Sequence, residues 1–307
     1  MANEILHSFA GGTLNRAALE RPQEGYVESQ LARGDAKVVT FAQDRVLVDT
    51  SAPASLYYTA PGALENAGPL PEILLGIDDE KRPVFAQFTP VDDEGKPTAT
   101  LPDTVKAIDL RSLAAQALLP AEELGLLAYA RSLSNWHSTH RFCANCGEPT
   151  EMRGGGDRRS CTTCSREHYP RTDPVAIILI YKGDKCLLGR GRHFDEKRYS
   201  ALAGFIETGE SIEEAARREI FEEAGVKVGR IIYHSSQPWP FVSTLMIGLM
   251  GEAENTTITM DEEELEDVRW FSREEARQML DDTHPDGFTA PPALAIAHHL
   301  LKSFVDS

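Results

Sequence analysis

The pattern of apolar and polar positions divides the first half of the chain into three stretches. Residues 1–120 alternate short β-branched or aromatic runs, at 37–41, 45–48 and 84–88, with turn-forming Pro and Gly. Residues 121–135 repeat apolar side chains at helical spacing, whereas residues 136–171 contain little apolar material. The pattern predicts a β-rich domain followed by a helix that leads out of it.

From residue 172 onwards, strand-like and helix-like patterns alternate. Apolar runs at 175–181 and 185–190 flank Gly183 and Asp184, which predicts two strands joined by a tight turn. Helices are predicted at 211–224 and 292–304, and further strands at 230–233 and 245–250. We therefore predict an α+β chain with a β-rich domain at 1–125, a linker helix with a cysteine-rich segment at 126–171, and a third domain at 172–307.

The composition limits the partners of this chain. Its 307 residues include 31 Lys and Arg against 48 Asp and Glu, a net charge of -17 that repels nucleic acid and anionic membranes on average. An anionic substrate would therefore have to meet a metal ion or a local basic patch. A membrane-spanning helix needs about 20 apolar residues, and no run approaches that length. The first residues do not resemble a signal peptide, so we expect a cytoplasmic protein that does not associate with a membrane.

Four of the five cysteines form two pairs, each with two residues between its members. The pairs are Cys143 with Cys146 and Cys161 with Cys164. Two such pairs place four thiolates at the corners of a tetrahedron, which predicts a zinc site. A site closed by four protein ligands has no open position, so the zinc is expected to be structural.

Other residues near the cysteines leave two questions open. His137 and His140 precede the first pair and are alternative ligands, while Cys186 is predicted to be a small buried side chain. Residues 131–171 carry seven Arg and four acids. This excess is either an anion-facing surface or the charge that keeps a small ribbon soluble.

One predicted helix carries most of the acidic side chains of interest. Ser211 is a suitable N-cap, and Gly225 suits the left-handed residue that ends a helix. Ile212, Ala216 and Ile220 recur every four residues and predict the packed face.

Glu219, Glu222 and Glu223 lie on one face of this helix, at positions i, i+3 and i+4. Like charges so close are unfavourable unless a cation lies between them, and clustered carboxylates suit Mg²⁺ or Mn²⁺. Glu210 is a further candidate ligand from the preceding loop, and Arg218 is placed to orient Glu222. The alternative is a solvated acidic face, which the run at 261–264 also exemplifies.

The spacing within 204–226 resembles the Nudix box, a Gly, five residues, a Glu, seven residues and then Arg-Glu-aliphatic-x-Glu-Glu-x-Gly-aliphatic. Every defined position is filled, by Gly204, Glu210, Arg218, Glu219, Ile220, Glu222, Glu223, Gly225 and Val226. A match at this many positions by chance is remote, so the solvated-face alternative becomes a minor one.

Further segments resemble the NADH pyrophosphatase subfamily of Nudix hydrolases. They are the Ser-Gln-Pro-Trp-Pro-Phe run at 236–241, the Trp-His-x-x-His-x-Phe-Cys run at 136–143 and the Tyr-Pro-Arg-Thr-Asp-Pro link at 169–174. The chain departs from that pattern at Val242, where the subfamily has Pro, and at Ala295, where it has Ser. Because Val242 lacks the rigid ring of proline, the sequence does not predict the shape of the loop that follows the run at 236–241.

The resemblance implies a fold and an activity. It implies a Nudix α/β/α sandwich with a mixed sheet, preceded by a zinc ribbon and a β-rich N-terminal domain. The implied reaction is metal-dependent hydrolysis of the pyrophosphate of NAD(H) to AMP and NMN(H), in a homodimer with Mg²⁺ or Mn²⁺ and structural Zn²⁺. Removal of NAD caps from the 5′ end of RNA is a further implied activity.

The resemblance also implies roles for individual residues. Glu219, Glu222, Glu223 and Glu264 are expected to bind the catalytic ions; Glu222 or Glu223 is the first choice of general base, and Glu264 the second. Phe205 and Tyr169, the latter from the other subunit, are expected to enclose the nicotinamide ring. Further substrate contacts are expected from Gln237, Trp239, Thr244 and Ala297. Phe205 is alternatively a core residue, and Trp239 alternatively a packing residue.

Two rival functions stay open at this point. One is hydrolysis of another nucleoside diphosphate derivative, such as ADP-ribose or a dinucleoside polyphosphate. The other is a non-catalytic nucleotide sensor built on a zinc ribbon, although a sensor has no need for all the carboxylates of the box.

Overall fold

The computed structural model describes residues 6–68 and 73–307. The described chain forms two compact units. The N-terminal unit comprises Ser8–Arg171 together with Pro240–Ser243, and the C-terminal unit comprises residues 6–7, Thr172–Trp239 and Thr244–Ser307. The division into three domains at 125 and 171 stays a prediction.

The N-terminal unit is rich in β-strands, as its sequence pattern predicted. Its elements, in chain order, are α1 (Tyr26–Leu31), β1 (Lys37–Ala42), β2 (Arg45–Asp49), β3 (Ser55–Leu56), β4 (Tyr58–Thr59), β5 (Ile73–Ile77), β6 (Pro83–Thr89), β7 (Val105–Asp109), α2 (Leu110–Ala115), α3 (Ala121–Thr139), β8 (Thr150–Arg153), β9 (Arg158–Cys161) and β10 (Glu167–His168). The predicted strands at 37–41, 45–48 and 84–88 are β1, β2 and β6. The predicted helix at 121–135 is α3, which continues to Thr139.

Two sheets organise this unit. The larger sheet runs in the order β3-β2-β1-β6-β5, with β4 paired to β1 and β7 to β2, and β1 and β6 are parallel. The smaller sheet runs in the order β10-β9-β8 and belongs to the cysteine-rich segment. Gly154, Gly155 and Gly156 connect β8 to β9 with φ angles of 56°, 62° and 90°, a left-handed turn that glycine tolerates best.

The C-terminal unit is a mixed sheet covered by helices. Its elements are β11 (Asp173–Lys182), β12 (Lys185–Gly191), β13 (Leu202–Phe205), α4 (Ile212–Ala224), β14 (Val228–Trp239), β15 (Thr244–Ala253), β16 (Leu265–Ser272), α5 (Arg273–Leu280) and α6 (Ile296–Asp306). The sheet runs in the order β14-β15-β11-β12-β16, with β13 paired to β11. β11 and β15 are parallel, and the other pairs are antiparallel.

The central strand β11 contributes to a separate core on each face of the sheet. Ala176, Ile178 and Ile180 pack in a cluster with the buried residues of α4. Ile177 and Leu179 point the other way and pack with residues of α5 and α6. Since side chains alternate along a strand, one apolar run supplies both cores. The predicted α/β/α sandwich with a mixed sheet is confirmed.

Helix α4 begins and ends where its capping residues predict. The Ser211 hydroxyl accepts a hydrogen bond from the Glu214 backbone N–H at 3.2 Å, and the Glu214 carboxylate accepts one from the Ser211 N–H at 2.7 Å. Gly225 follows the helix with a φ of 68°. Ala216 and Ile220 are fully buried, so the predicted packed face is confirmed.

The C-terminal helix begins later than the sequence pattern predicted. Residues 292–295 form a turn in which the Ala295 N–H donates to the Pro292 carbonyl at 2.9 Å, and α6 starts at Ile296. Its first N–H is capped from outside the helix, by the Gln237 side chain. Among the residues described, no helix is both long and apolar enough to cross a membrane.

Candidate functional site

The sulfur atoms of the four paired cysteines form a compact group within the N-terminal unit. The Sγ atoms of Cys143, Cys146, Cys161 and Cys164 all lie within 4.8 Å of one another. The separations are 3.5 Å for 146–161, 3.6 Å for 146–164 and 3.7 Å for 143–164. Zn–S bonds of about 2.3 Å in a tetrahedron place sulfur atoms about 3.8 Å apart. The four side chains therefore fit a zinc ion.

Backbone N–H groups stabilise the thiolate form of some of these cysteines. The Arg166 N–H lowers the pKa of the Cys164 thiol to about 6. The N–H groups of Cys164 and Thr163 lower the pKa of Cys161. Hydrogen bonds with Cys161 and Cys164 nevertheless raise the pKa of Cys146 to about 12, against the lowering effect of the Glu148 N–H. Without a cation the four thiols cannot all ionise, which is the electrostatic reason for a metal here.

His137 and His140, the two histidines considered as alternative ligands, make contacts with backbone carbonyls. The His137 Nε2 atom lies 2.9 Å from the Gly156 carbonyl, and the His140 Nδ1 atom lies 3.1 Å from the Trp136 carbonyl. The alternative in which either replaces a cysteine ligand is therefore not supported. Cys186 is buried in the C-terminal unit, as predicted.

Arg218, on the acidic helix α4, connects several carboxylates. Its guanidinium donates hydrogen bonds to three carboxylates and one carbonyl: Glu210 at 2.6 and 2.8 Å, Glu219 at 2.7 Å, Glu222 at 3.1 Å and the Phe205 carbonyl at 3.0 Å. The predicted contact between Arg218 and Glu222 is present. Glu210, considered as a metal ligand, instead forms a bidentate pair with this arginine, and the pair lowers the pKa of Glu210 to about 2.

The three helix carboxylates differ in their environments. Glu222 is exposed, whereas Glu219 is mostly buried and Glu223 is only 5% exposed. Burial raises the pKa of Glu223 to about 8, and the nearby charges of Glu219 and Glu264 add to this effect. Burial likewise raises the pKa of Glu219. A cation placed among these side chains would reverse the cost of their ionisation.

A cavity of about 330 Å³ opens beside these carboxylates. Its lining includes Glu223, Glu264, His193, Phe194, Ser200 and Ala203. Glu264 comes from the turn before β16, which the Asp261 N–H ties to the Glu223 carbonyl at 3.0 Å. Two predicted metal-binding carboxylates from separate elements therefore face one cavity.

The carboxylate arrangement is open rather than closed. Among the residues described, the four cysteines form the one compact group of three or more His, Cys, Asp or Glu side chains. The carboxylates of the acidic helix do not form such a group. Mg²⁺ retains waters and binds through one or two carboxylates together with substrate phosphates, so it does not require a protein cage. The donor set, all carboxylate oxygen, fits Mg²⁺ or Mn²⁺.

The two aromatic residues of the predicted nicotinamide clamp lie on the surfaces of their own units. Phe205 is 60% exposed at the end of β13, and Tyr169 is 62% exposed after β10. Tyr169 donates a hydrogen bond to the Glu167 carboxylate at 2.6 Å. The alternative in which Phe205 is a core residue is wrong.

The remaining predicted substrate residues have mixed exposures. The Gln237 side chain is fully buried; it donates to the Leu294 carbonyl at 2.7 Å and accepts from the Ile296 N–H at 2.8 Å. Ala297 is buried in α6. Trp239 and Thr244 are partly exposed and pair across β14 and β15. Gln237 thus supports α6, and substrate contacts from these four residues stay predictions.

The loop that contains Val242 is held by side chains of the N-terminal unit, to which residues 240–243 belong. The Arg131 guanidinium donates to the Pro240 carbonyl at 2.8 Å and lies 4.7 Å from the centre of the Phe241 ring. Arg111 lies 4.2 Å from the same ring. These contacts, rather than a proline at 242, position the loop.

Sequence reasoning missed two features of the site. It did not predict the pairing of Glu210 with Arg218, although both belong to the box. It also missed His193 and Phe194, which line the cavity from the connection between β12 and β13. No motif marks these two residues, and the only sequence signal nearby is the turn-forming Gly191.

Three family models match consecutive parts of the chain. A NUDIX domain model matches residues 170–290, an NADH pyrophosphatase-like rudimentary NUDIX domain matches 35–136, and an NADH pyrophosphatase zinc ribbon domain matches 138–169. The last model covers the four cysteines, and the first covers the acidic helix.

Curated relatives agree with these models. The chain is 37% identical to the mitochondrial NAD(P)H pyrophosphatase NUDT13 of Homo sapiens over 254 residues, which are 76% of this chain and 71% of the relative. It is 45% identical to the NAD-capped RNA hydrolase NUDT12 of Homo sapiens over 61% of this chain, and spans 43% of that relative. It is 40% identical to the NAD-capped RNA hydrolase NudC of Stutzerimonas stutzeri over 59% of this chain and 61% of the relative.

The mixed sandwich, the box helix and the ribbon together define a Nudix protein with a zinc ribbon. The chain belongs to the Nudix family, in the group that carries the NADH pyrophosphatase-like domain and zinc ribbon. The ribbon supports a structural zinc ion at the four cysteines.

Proposed function

We propose that this protein hydrolyses the pyrophosphate of NAD(H), giving AMP and NMN or NMNH. The observation that carries the proposal is the complete Nudix box at 204–226, with Glu223 and Glu264 facing one cavity. The relatives described as NAD(P)H pyrophosphatase and NAD-capped RNA hydrolases support the choice of substrate.

Glu219, Glu222, Glu223 and Glu264 would hold Mg²⁺ or Mn²⁺. When bound there, such an ion would neutralise the diphosphate and would lower the pKa of a bound water. A carboxylate then accepts the proton of the water that attacks phosphorus, and one bridging P–O bond breaks. Glu222 or Glu223 is the proposed proton acceptor, and Glu264 is the alternative.

The nicotinamide end of the substrate is proposed to stack on Phe205. The high exposure of this ring, at the end of β13, leaves an aromatic face available to a flat base. Tyr169 of a second copy is the proposed other side of the clamp, which makes the active form a homodimer.

Removal of NAD caps from RNA is a second candidate activity at the same site. The names of the relatives NUDT12 and NudC favour it, as does the arginine excess at 131–171 in an otherwise acidic chain.

The cytoplasm is the proposed compartment of this protein. Because one relative is described as mitochondrial, the direct test is to image a tagged full chain in cells.

Product analysis tests the proposal. The protein is incubated with NADH, ADP-ribose and NAD-capped RNA in Mg²⁺ or Mn²⁺, and the products are separated by chromatography. We expect AMP and NMNH from NADH, with a higher kcat/KM than for ADP-ribose. Glu222→Gln, at an exposed position, is the inactive control. A preference for ADP-ribose would show that NAD(H) is not the main substrate. Inactivity on all three substrates would favour the alternative of a non-catalytic nucleotide sensor.

A further inference from the structure

The cavity beside the carboxylates has one wall that the Nudix box does not supply. Residues 191–194, which begin at the last residue of β12, form a turn in which the Phe194 N–H donates to the Gly191 carbonyl at 3.0 Å. His193 and Phe194 from this turn line the cavity together with Glu223 and Glu264. This turn lies far along the chain from the carboxylates and is brought to them by the sheet.

Several contacts hold the turn in place. A Cβ added at Gly191 would lie 3.2 Å from the His193 ring, so the imidazole packs directly over this glycine. The His193 and Phe194 rings are 4.7 Å apart and meet edge to face. The Arg192 guanidinium donates to the Glu262 carbonyl at 2.5 Å, which ties the turn to the loop that carries Glu264. These contacts connect both rings to the loop that carries Glu264.

The lining of the cavity does not include Phe205. Ala203, which lies two residues earlier on the same face of β13, does line it. A dinucleotide has two nucleosides joined by a diphosphate. If the diphosphate lies at the carboxylates and one base stacks on Phe205, the other nucleoside must extend from the carboxylates in another direction. The volume of about 330 Å³ is at the low end for ligand pockets, suited to half a dinucleotide.

We propose that the cavity walled by His193 and Phe194 binds the adenosine half of the substrate, while Phe205 binds the nicotinamide half. The Phe194 ring offers a face to the purine, and the His193 imidazole offers a hydrogen bond to the ribose or the phosphate. This inference rests on the proposed function, because it takes the nicotinamide to be the base on Phe205.

Binding of the two products separates the halves of the site. AMP and NMN are titrated calorimetrically into the protein with Mg²⁺ present, for the wild type, Phe194→Ala, His193→Ala and Phe205→Ala. Phe194→Ala should weaken AMP binding at least about fivefold, the lower end for a lost base–aromatic stack, and leave NMN binding nearly unchanged. Phe205→Ala should do the reverse. Tyr233→Ala, which removes a ring that is 61% exposed on β14, is the matched control.

The outcomes are distinct. The proposal is overturned if Phe194→Ala and His193→Ala leave AMP binding unchanged, or if they weaken AMP and NMN binding equally. A loss confined to NMN would overturn it as well, since it would put the nicotinamide in the cavity. Thermal unfolding of each variant shows whether the fold is retained. Binding of AMP and NMN is measured without turnover. A wild type that fails to cleave NADH would therefore reject the proposed function, but the binding data would still test the adenosine site.

Discussion

The α-carbon of Gly204 lies directly against the carboxylate of Glu219. A Cβ built on Gly204 would fall 1.8 Å from the Glu219 Cδ atom. β13 and α4 therefore approach so closely that a side chain at 204 and the carboxylate at 219 exclude each other. The first glycine of the box is thus explained by space for a proposed metal ligand, and its φ is not in the left-handed region.

Gly204→Ala should consequently displace the Glu219 side chain while the fold persists, because the clashing atoms are the flexible end of that side chain. We expect hydrolysis to fall at least about tenfold, as expected for a misplaced catalytic group, with little change in Tm. Gly34→Ala is the control, since a Cβ there meets nothing within 4 Å. Retention of near-normal activity in Gly204→Ala would show that the position of Glu219 is unimportant.

Arg218→Lys tests whether the hydrogen bonds from Arg218 orient the carboxylates of the acidic helix. Lysine keeps the positive charge and loses the planar fork that contacts Glu210, Glu219 and Glu222 together. We expect kcat to fall by about tenfold to a hundredfold, because the carboxylates lose their orientation. Steady-state kinetics and circular dichroism check this; a lysine variant as active as the wild type would mean that charge alone is needed.

Stability without added Mg²⁺ should depend on pH through Glu223. Burial raises the folded pKa of Glu223 to about 8 from an ordinary value of 4.5, so the folded state binds more protons than the unfolded state between these values. The contribution of the neutral carboxyl to stability is therefore complete below the lower value and is lost as pH rises through the higher one.

Thermal unfolding between about pH 5 and about 9 measures this contribution. Glu223→Gln cannot ionise, so its Tm should decline less with pH than that of the wild type. Adding Mg²⁺ should stabilise the wild type most at the alkaline end. Parallel pH profiles for the two proteins would contradict the raised pKa.

Zinc removal should affect stability rather than the chemistry directly. Cys143→Ser is expected to lower the zinc content and the Tm, because the closed site offers no position for substrate. Cys186→Ala, which changes a buried cysteine in the other unit, should retain zinc. Elemental analysis decides; less than about half an equivalent of zinc in fresh wild-type protein would reject the zinc site.

Phe205→Ala should weaken NADH turnover selectively. Loss of a base–aromatic stack costs about 1–3 kcal/mol, which corresponds to roughly 5- to 150-fold in kcat/KM. ADP-ribose, which has no nicotinamide, should be affected much less. Since Phe205 is exposed, its Tm should be retained; equal losses on both substrates would remove the nicotinamide clamp and leave the hydrolase assignment without its NADH preference.

The local pattern was sufficient to predict much of the fold and the chemistry. The ends of α4 follow from Ser211 and Gly225, and the two-faced strand β11 follows from its apolar run, because capping and periodicity act over a few neighbouring residues. The cysteine spacing predicted the group of four sulfur atoms for the same reason.

The main elements and the reactive residues that each carries therefore follow from the sequence alone. Packing in three dimensions sets the pairing of Glu210 with Arg218, the burial of Gln237 against α6, and the position of His193 and Phe194 facing the carboxylates. These relationships join residues on different elements. Their geometry depends on strand register and on how closely β13 approaches α4, which no spacing along the chain expresses.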